Sequence, residues 1–335
     1  MKKIIFAILV FVVVGSATWY VLDSTFLRKE NVRVYRVGLI YQGESFEEIA
    51  NGFKEGLDLI AKSKEGSVVE YLPKKVAGIE QKDFDIAAQE LVDQNVDLIF
   101  AASLEPVVAA KKVTSVNKIP VVLALGGNPA LIGLVESIQK PGGNITGMTW
   151  LAWELSGKRL EILAKIDPRI KRVMVFGKKG SKPMKFSLES IKPVAERLGI
   201  TIILKEVSDF KDLEKVVKNI SRKDADAIYY APDPFISRYS TFLINHSLEQ
   251  KLPTIFADEY FAQQGALASY GGNFVSSGKQ ASRIAGKILF ENQVPQDLPI
   301  ESVNKVDLAI NLASAAKIGL TIPQEVLSLT QIVIR

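Results

Sequence analysis

The sequence predicts an α/β protein of two similar Rossmann-like lobes, each a parallel sheet with helices on both faces, joined by a hinge. Two observations carry this. From Val32 onward, short apolar runs alternate with longer amphipathic segments, and strands and helices taking turns imply parallel sheets covered on both faces. The plan then repeats: "YRVGLIYQG" (35–43) is matched by "KRVMVFGKKG" (171–180), "VDLIFAASLEP" (96–106) by "ADAIYYAPDPF" (225–235), and "KIPVVLALGGNP" (118–129) by "KLPTIFADEYF" (251–261). The three pairs keep their order at an offset of about 130 residues, which argues for two copies of one unit rather than a solenoid.

Taken in order, the N-terminus stands apart. Lys2 and Lys3 precede an apolar run from Ile4 to Leu22. About nineteen helical residues nearly span a bilayer, and a basic stretch before an apolar core is an export signal. Residues 1–30 are therefore expected to be an export signal or a membrane anchor. "GSATW" offers a cleavage point, whereas the length of the run favours an uncleaved anchor. The body is expected outside the cytoplasm, in the periplasm or on the outer face of the cytoplasmic membrane. After the strand "VYRVGLIY" comes "ESFEEIANGFKEGLDLIAK", where Phe46, Ile49, Ala50, Phe53 and Leu57 recur at helical spacing. The strand "VVEYLP", the helix "DFDIAAQELVDQN", the strand "DLIFAA", the helix "EPVVAAKKVTSV" and the strand "PVVLAL" follow.

Composition narrows the function. Apolar residues make up 47% and charged residues 24%, a globular balance. The net charge of +5 is spread along the chain without a basic cluster, so no nucleic-acid partner is expected. The absence of cysteine removes disulfides, thiol nucleophiles, Cys-based zinc sites and lipidation at an N-terminal cysteine. The single histidine, His246 in "FLINHSLEQK", builds neither a His-rich metal site nor a nucleophile–histidine–acid set. The basic loop with Lys178, Lys179 and Lys182 lacks the G-x-x-x-x-G-K-[ST] pattern of a P-loop. The sequence thus implies no cofactor, no metal and no catalysis.

Four longer stretches carry a family resemblance: "KIPVVLALGGNPALIGLVESIQKPGGNITGMT", "SGKRLEILAKIDPRIKRVMV", "GALASYG" and "LPIESVNKVDLAINLASAAKIGLTIP". From about Val34 to the C-terminus the chain resembles the ABC-transporter substrate-binding proteins whose best-known relatives bind tryptophan and similar amino acids. The resemblance implies the two-lobed, hinged type I periplasmic binding protein fold. It implies lobe 1 from residues 31–147 with about 275–308, and lobe 2 from 148–274 with about 309–335. It departs from the family at Gly177 and Lys178, where many members carry Asn-Pro, and at Pro232, Asp233 and Pro234, where others carry Thr-Asp-Asn.

In open α/β sheets ligands bind outside the carboxyl ends of the strands, and clefts between lobes are favoured sites. The expected site residues lie on six such loops. Tyr41, Gln42 and Phe46 offer aromatic faces and an amide. Ser103 and Leu104 sit where a helix N-terminus holds an anionic group or is simply capped. Gly126, Gly127 and Asn128 let a ligand approach the backbone. Lys178 offers a cation. Asp233 either pairs with a ligand ammonium or caps the helix after it, and Phe235 follows it. Asp258 matches a family position near the ligand; beside Glu259 it points to the other face of an extended chain, so the two do not form an acid/base pair. Of the two Gly-Gly-Asn tripeptides, 126–128 is expected to be a cleft wall and 142–144 a turn before the hinge strand. The expected function is an extracytoplasmic solute-binding protein. It captures a small ligand, an amino acid or similar, and delivers it to the transmembrane permease subunits and cytoplasmic ATPase of an ABC transporter. The alternative is a membrane-anchored ligand-sensing module of the same fold.

Overall fold

A computed structural model describes residues 32–335 apart from Ile79 and Gly126. The expected export segment, and Gly126 of the first Gly-Gly-Asn, lie outside the described residues. In the first half the chain runs β1 (Arg33–Gln42), α1 (Gly43–Lys62), β2 (Ser67–Val76), α2 (Gln81–Asp93), β3 (Leu98–Ala102), α3 (Leu104–Val113), β4 (Val121–Leu125) and β5 (Ile145–Thr149). The second half runs α4 (Ser156–Ile166), β6 (Arg172–Lys178), α5 (Lys182–Leu198), β7 (Thr201–Val207), α6 (Phe210–Lys218), β8 (Ala227–Tyr230), α7 (Pro234–Arg238), α8 (Ser240–Glu249), β9 (Thr254–Phe256), α9 (Glu259–Gln263) and β10 (Ala268–Gly272). The tail adds α10 (Phe274–Glu291), β11 (Glu301–Ser302), β12 (Val306–Asn311), α11 (Leu312–Ile318), α12 (Gln324–Ser328) and β13 (Ile332–Ile334).

One sheet has the order β11-β5-β4-β3-β1-β2 and the other β13-β12-β10-β9-β8-β6-β7. Strands β2-β1-β3-β4-β5 and β7-β6-β8-β9-β10 share one order, the structural form of the sequence repeat. All pairs are parallel except β10 with β12. Central strands are apolar throughout because helices cover both faces: every residue of "LIFAA" in β3 is buried. The edge strand β2 alternates between partly and fully exposed positions instead. Helix α1 buries Ile49, Ala50, Phe53 and Leu57 at helical spacing, and Phe53 stacks on Phe100 of β3 at 4.2 Å between ring centroids.

The chain passes between the sheets three times, and the three crossings touch. The first leaves β5 through Trp150 and Leu151, whose φ of 57° is left-handed. The second runs from β10 into α10. The third joins β11 to β12, where Val303 N donates to Thr149 O at 2.7 Å. They meet at Gly272: a Cβ there would lie 2.9 Å from Trp150 Cβ and 3.0 Å from Val303 Cγ2. The third crossing falls at residues 303–305, ahead of the expected return at 309, because β12 from Val306 onward pairs antiparallel with β10. The second Gly-Gly-Asn is the turn before β5, with Gly142 at φ 78°. Asn144 Nδ2 anchors it to Thr114 Oγ1 at 2.8 Å and Ile119 O at 2.6 Å.

Helix α10 crosses back to the first sheet and packs on α1 through glycines. A Cβ on Gly278 would land on the Ile49 carbonyl, and one on Gly52 on the Val275 carbonyl. Backbone cannot yield there as a flexible side chain would. Gly278→Ala is expected to destabilise by about 1–3 kcal/mol through overpacking, against the roughly 1 kcal/mol that Gly→Ala gains within an unobstructed helix. Thermal melting checks it, and a midpoint unchanged or raised contradicts the close approach.

Candidate functional site

The carboxyl ends of both sheets face one cleft. At its centre lies a cavity of about 620 Å³, its open mouth included. One wall is aromatic. Phe46 at the start of α1 stacks on Phe274 at 6.0 Å, and Trp150 meets Phe274 edge-on at 5.5 Å. Across from them Tyr230, Phe256 and Phe261 line the other lobe, with Phe256 and Phe261 stacked at 4.7 Å. Such a lining takes an apolar body and excludes water from the polar groups around it.

Four polar groups converge on or beneath this lining. Ser103 precedes α3 with φ 83°, a left-handed conformation costing a non-glycine residue on the order of 1–3 kcal/mol. It is buried, and its Oγ has no partner among the described residues. Asp233 follows β8 and is buried. Its Oδ1 accepts from Phe235 N at 2.9 Å and Ile236 N at 3.4 Å, while Ser181 Oγ bonds Oδ2. The carboxylate therefore caps α7 and still faces the cavity, so both sequence readings of Asp233 coexist geometrically. Burial raises its pKa against these bonds and the Lys178 charge.

Asp258 follows β9, is 3% exposed, and its Oδ1 has no partner among the described residues. Burial pushes its pKa well above 3.8, with Arg159 opposing and Glu48 of the facing lobe adding to the rise. Arg159 itself is fully buried on α4. Its Nε donates to Tyr270 O at 2.7 Å, and its Nη1 to Ala152 O at 2.6 Å and Tyr229 Oη at 3.3 Å; Nη2 has no partner among the described residues. A cation and a carboxylate are thus enclosed near each other without a direct ion pair.

A second, more polar space of about 990 Å³, opening included, adjoins the cavity and shares Leu104, Pro183, Asp233 and Pro234 with it. Gln42, Lys178 and Phe235 line it, with Lys178 Nζ 5.7 Å from the Phe235 ring centroid. Two hydrogen bonds draw the lobes together across the cleft: Arg238 Nη2 to Ala77 O at 2.6 Å, and Tyr260 Oη to Glu44 Oε2 at 3.4 Å.

The structure gathers Phe46, Ser103, Leu104, Asp233 and Asp258 around the central cavity and Gln42, Lys178 and Phe235 around its neighbour. Three expected residues lie elsewhere. Tyr41 packs into the core of the first sheet. Gly127 is small because Trp153 covers it: a Cβ would enter the indole ring. Asn128 turns its amide back on its own loop, Oδ1 accepting from Ala130 N at 2.9 Å, while its N–H donates to Glu154 Oε1 at 3.0 Å. Among the described residues of this loop, Gly127 packs under Trp153, which lines the cavity, and neither Gly127 nor Asn128 lines the cavity itself. Sequence reasoning missed Arg159, Ser181 and Phe274. Arg159 did leave a signal, since it sits at helical spacing among Ser156, Leu160, Leu163 and Ile166, all buried. His246 is structural, with Nε2 3.2 Å from Ile220 O.

Two hinged α/β lobes closing on an enclosed cavity define a ligand-capturing protein with the type I periplasmic binding protein fold. The sequence matches the ABC transporter substrate binding protein family over residues 36–334, and the chain belongs to that family. It is 26% identical over 225 residues to a tyrosine-binding protein of Clostridioides difficile, an alignment covering 67% of this chain and 63% of that protein. Among solved structures it is similar to an ABC domain from Streptococcus pneumonia in complex with L-Trp, with TM-score 0.79, 22% identity, and 90% of this chain and 100% of the other covered. A conserved domain protein from Vibrio cholerae gives TM-score 0.78 at 24% identity, covering 90% and 99%. A ligand-free, open substrate binding protein with adhesive properties from Clostridium difficile gives 0.67 at 22%, covering 90% and 99%.

The raised pKa of Asp258 sets a pH dependence. The folded state holds this proton more tightly than the unfolded chain, so the stability it contributes is present below about pH 4 and falls as pH rises through the raised value. Asp258→Asn removes the loss, so at pH 7 the ligand-free variant is expected to unfold at higher urea than the wild type. Equal midpoints at pH 7 would contradict a strained, ionisable Asp258.

Proposed function

We propose that this protein captures a free amino acid with an apolar or aromatic side chain between its lobes and delivers it to an ABC permease. The observation that carries the reading is the pairing of an aromatic wall with buried, incompletely satisfied polar groups of opposite demand. Asp258, with its unpartnered Oδ1, and Asp233, which lines the same cavity, take the ligand ammonium in charge-assisted bonds. The Ser103 hydroxyl and the first N–H groups of α3 take the carboxylate. The side chain packs among Phe46, Trp150 and Phe274. The similarity to proteins described with tyrosine and L-Trp supports this ligand class.

Each lobe supplies part of the set, so the full contacts exist only when the lobes close, and the ligand shifts the open–closed balance by its differential affinity. The closed form is the one a permease recognises, with the transporter's ATPase driving transfer. The protein is exported, and residues 1–30 hold it at the outer face of the membrane.

Isothermal titration with L-tyrosine, L-tryptophan, L-phenylalanine, L-leucine, L-aspartate and L-lysine tests the reading. The apolar and aromatic acids are expected to bind, and the two charged ones not. Removing the α-amino group is expected to cost at least tenfold, because it leaves a buried carboxylate unpaired. No binding by any member of the panel, with the protein folded, overturns the proposal.

A further inference from the structure

The polar space beside the central cavity is lined by four cationic side chains, Lys178, Lys179, Lys182 and Arg238. Among the described residues none of the four forms an ion pair; Arg238 spends one N–H on the Ala77 carbonyl across the cleft. Two carboxylates face them. Asp233 is already bonded to Ser181 and the α7 amides. Glu105 at the start of α3 keeps Oε2 buried and unpartnered. The cations outnumber the carboxylates, are exposed, and belong to two separate segments of the second lobe, the turn from β6 into α5 and the end of α7. They are more than the central cavity needs: a free amino acid places its two charges beside Ser103 and Asp258, on the inner side of the shared residues Leu104 and Asp233.

We propose that this basic vestibule is a second subsite, which takes an additional anionic group, a carboxylate or phosphate, carried by the ligand beyond its apolar body. The inference rests on the amino-acid reading of the central cavity and extends it. The ligand class becomes an amine-bearing, apolar-bodied molecule with an acidic extension, such as a dipeptide whose second residue is acidic. The extension leaves the central cavity past Leu104 and Pro183, the residues that border both spaces. Its anion then meets Lys178 and Lys182 at the turn from β6 into α5 and Arg238 at the end of α7. The cations are exposed, so the preference they create is modest, roughly three- to tenfold per anionic group, and weakens with salt.

Titration calorimetry on the full chain separates the possibilities. Probes are L-tyrosine, tyrosyl-aspartate, tyrosyl-O-phosphoserine and tyrosyl-lysine, at low and at high salt. The expected result is that both acidic dipeptides bind at least threefold tighter than tyrosyl-lysine at low salt, with the gap narrowing at high salt. The phosphoserine arm shows which anion the vestibule prefers. Lys179→Glu/Lys182→Glu, two exposed positions, is expected to reverse the order while leaving L-tyrosine bound; circular dichroism and melting verify its fold. If L-tyrosine binds but the dipeptides are rejected, or bind without regard to charge in both proteins, the second subsite is overturned and the amino-acid reading stands. If neither L-tyrosine nor any other member of the amino-acid panel binds wild type, both fall together.

Discussion

The cleft depends on one buried guanidinium. Arg159 lies wholly inside the second lobe and donates to three places that must keep their relation: the Ala152 carbonyl in the first crossing, the Tyr270 carbonyl in the middle of the strand β10 that leads into the second, and the Tyr229 hydroxyl of β8. Burying such a charge costs several kcal/mol unless hydrogen bonds and an opposite charge compensate it. Here backbone carbonyls do most of that, helped by the Tyr229 and Ser156 hydroxyls, while Asp258 lies near without a direct bond. The same residue thus fixes the hinge to the lobe and sets the electrostatics of the cavity floor.

The arrangement leaves Asp258 with a counter-charge near it but without a direct partner. Burial, and secondarily repulsion from Glu259, raise the pKa of Glu48 on the facing lobe. The closed cleft thus holds carboxylates in a dry space, and on the proposed reading a ligand ammonium would relieve that crowding. On the proposed reading the strained Ser103, with its unpartnered hydroxyl at the start of α3, would serve the opposite charge in the same way. Stability is given up at both places, as is common where binding groups must stay unsatisfied until the ligand arrives.

Much of the fold was legible because its signals are local. Apolar runs of about five residues between amphipathic helices marked the central strands, and the repeat from 35–43 to 171–180 anticipated the shared strand order of the two sheets. The site was legible by loop rather than by side chain. Five of the six predicted loops reach the cavity or its vestibule, but Asn128 and Tyr41 turn elsewhere, because an Asx turn and a core position are decided by neighbours that sequence spacing does not reveal. Gly127 was read as room for a ligand, and it is room for Trp153. Phe274 was invisible for another reason: it enters the cavity from a helix more than a hundred residues after the first lobe's strands, and only the second crossing brings it there.

The account's central claim is that a ligand ammonium neutralises carboxylates whose pKa burial has raised. It is tested most directly by measuring proton release on binding. L-tyrosine is titrated at a series of pH values from about 4 upward in buffers of different ionisation enthalpy, so that the window in which a raised carboxyl still carries its proton is crossed. The account predicts net release of protons, reduced in Asp258→Asn. Binding with no proton exchange, unchanged by that substitution, would contradict it.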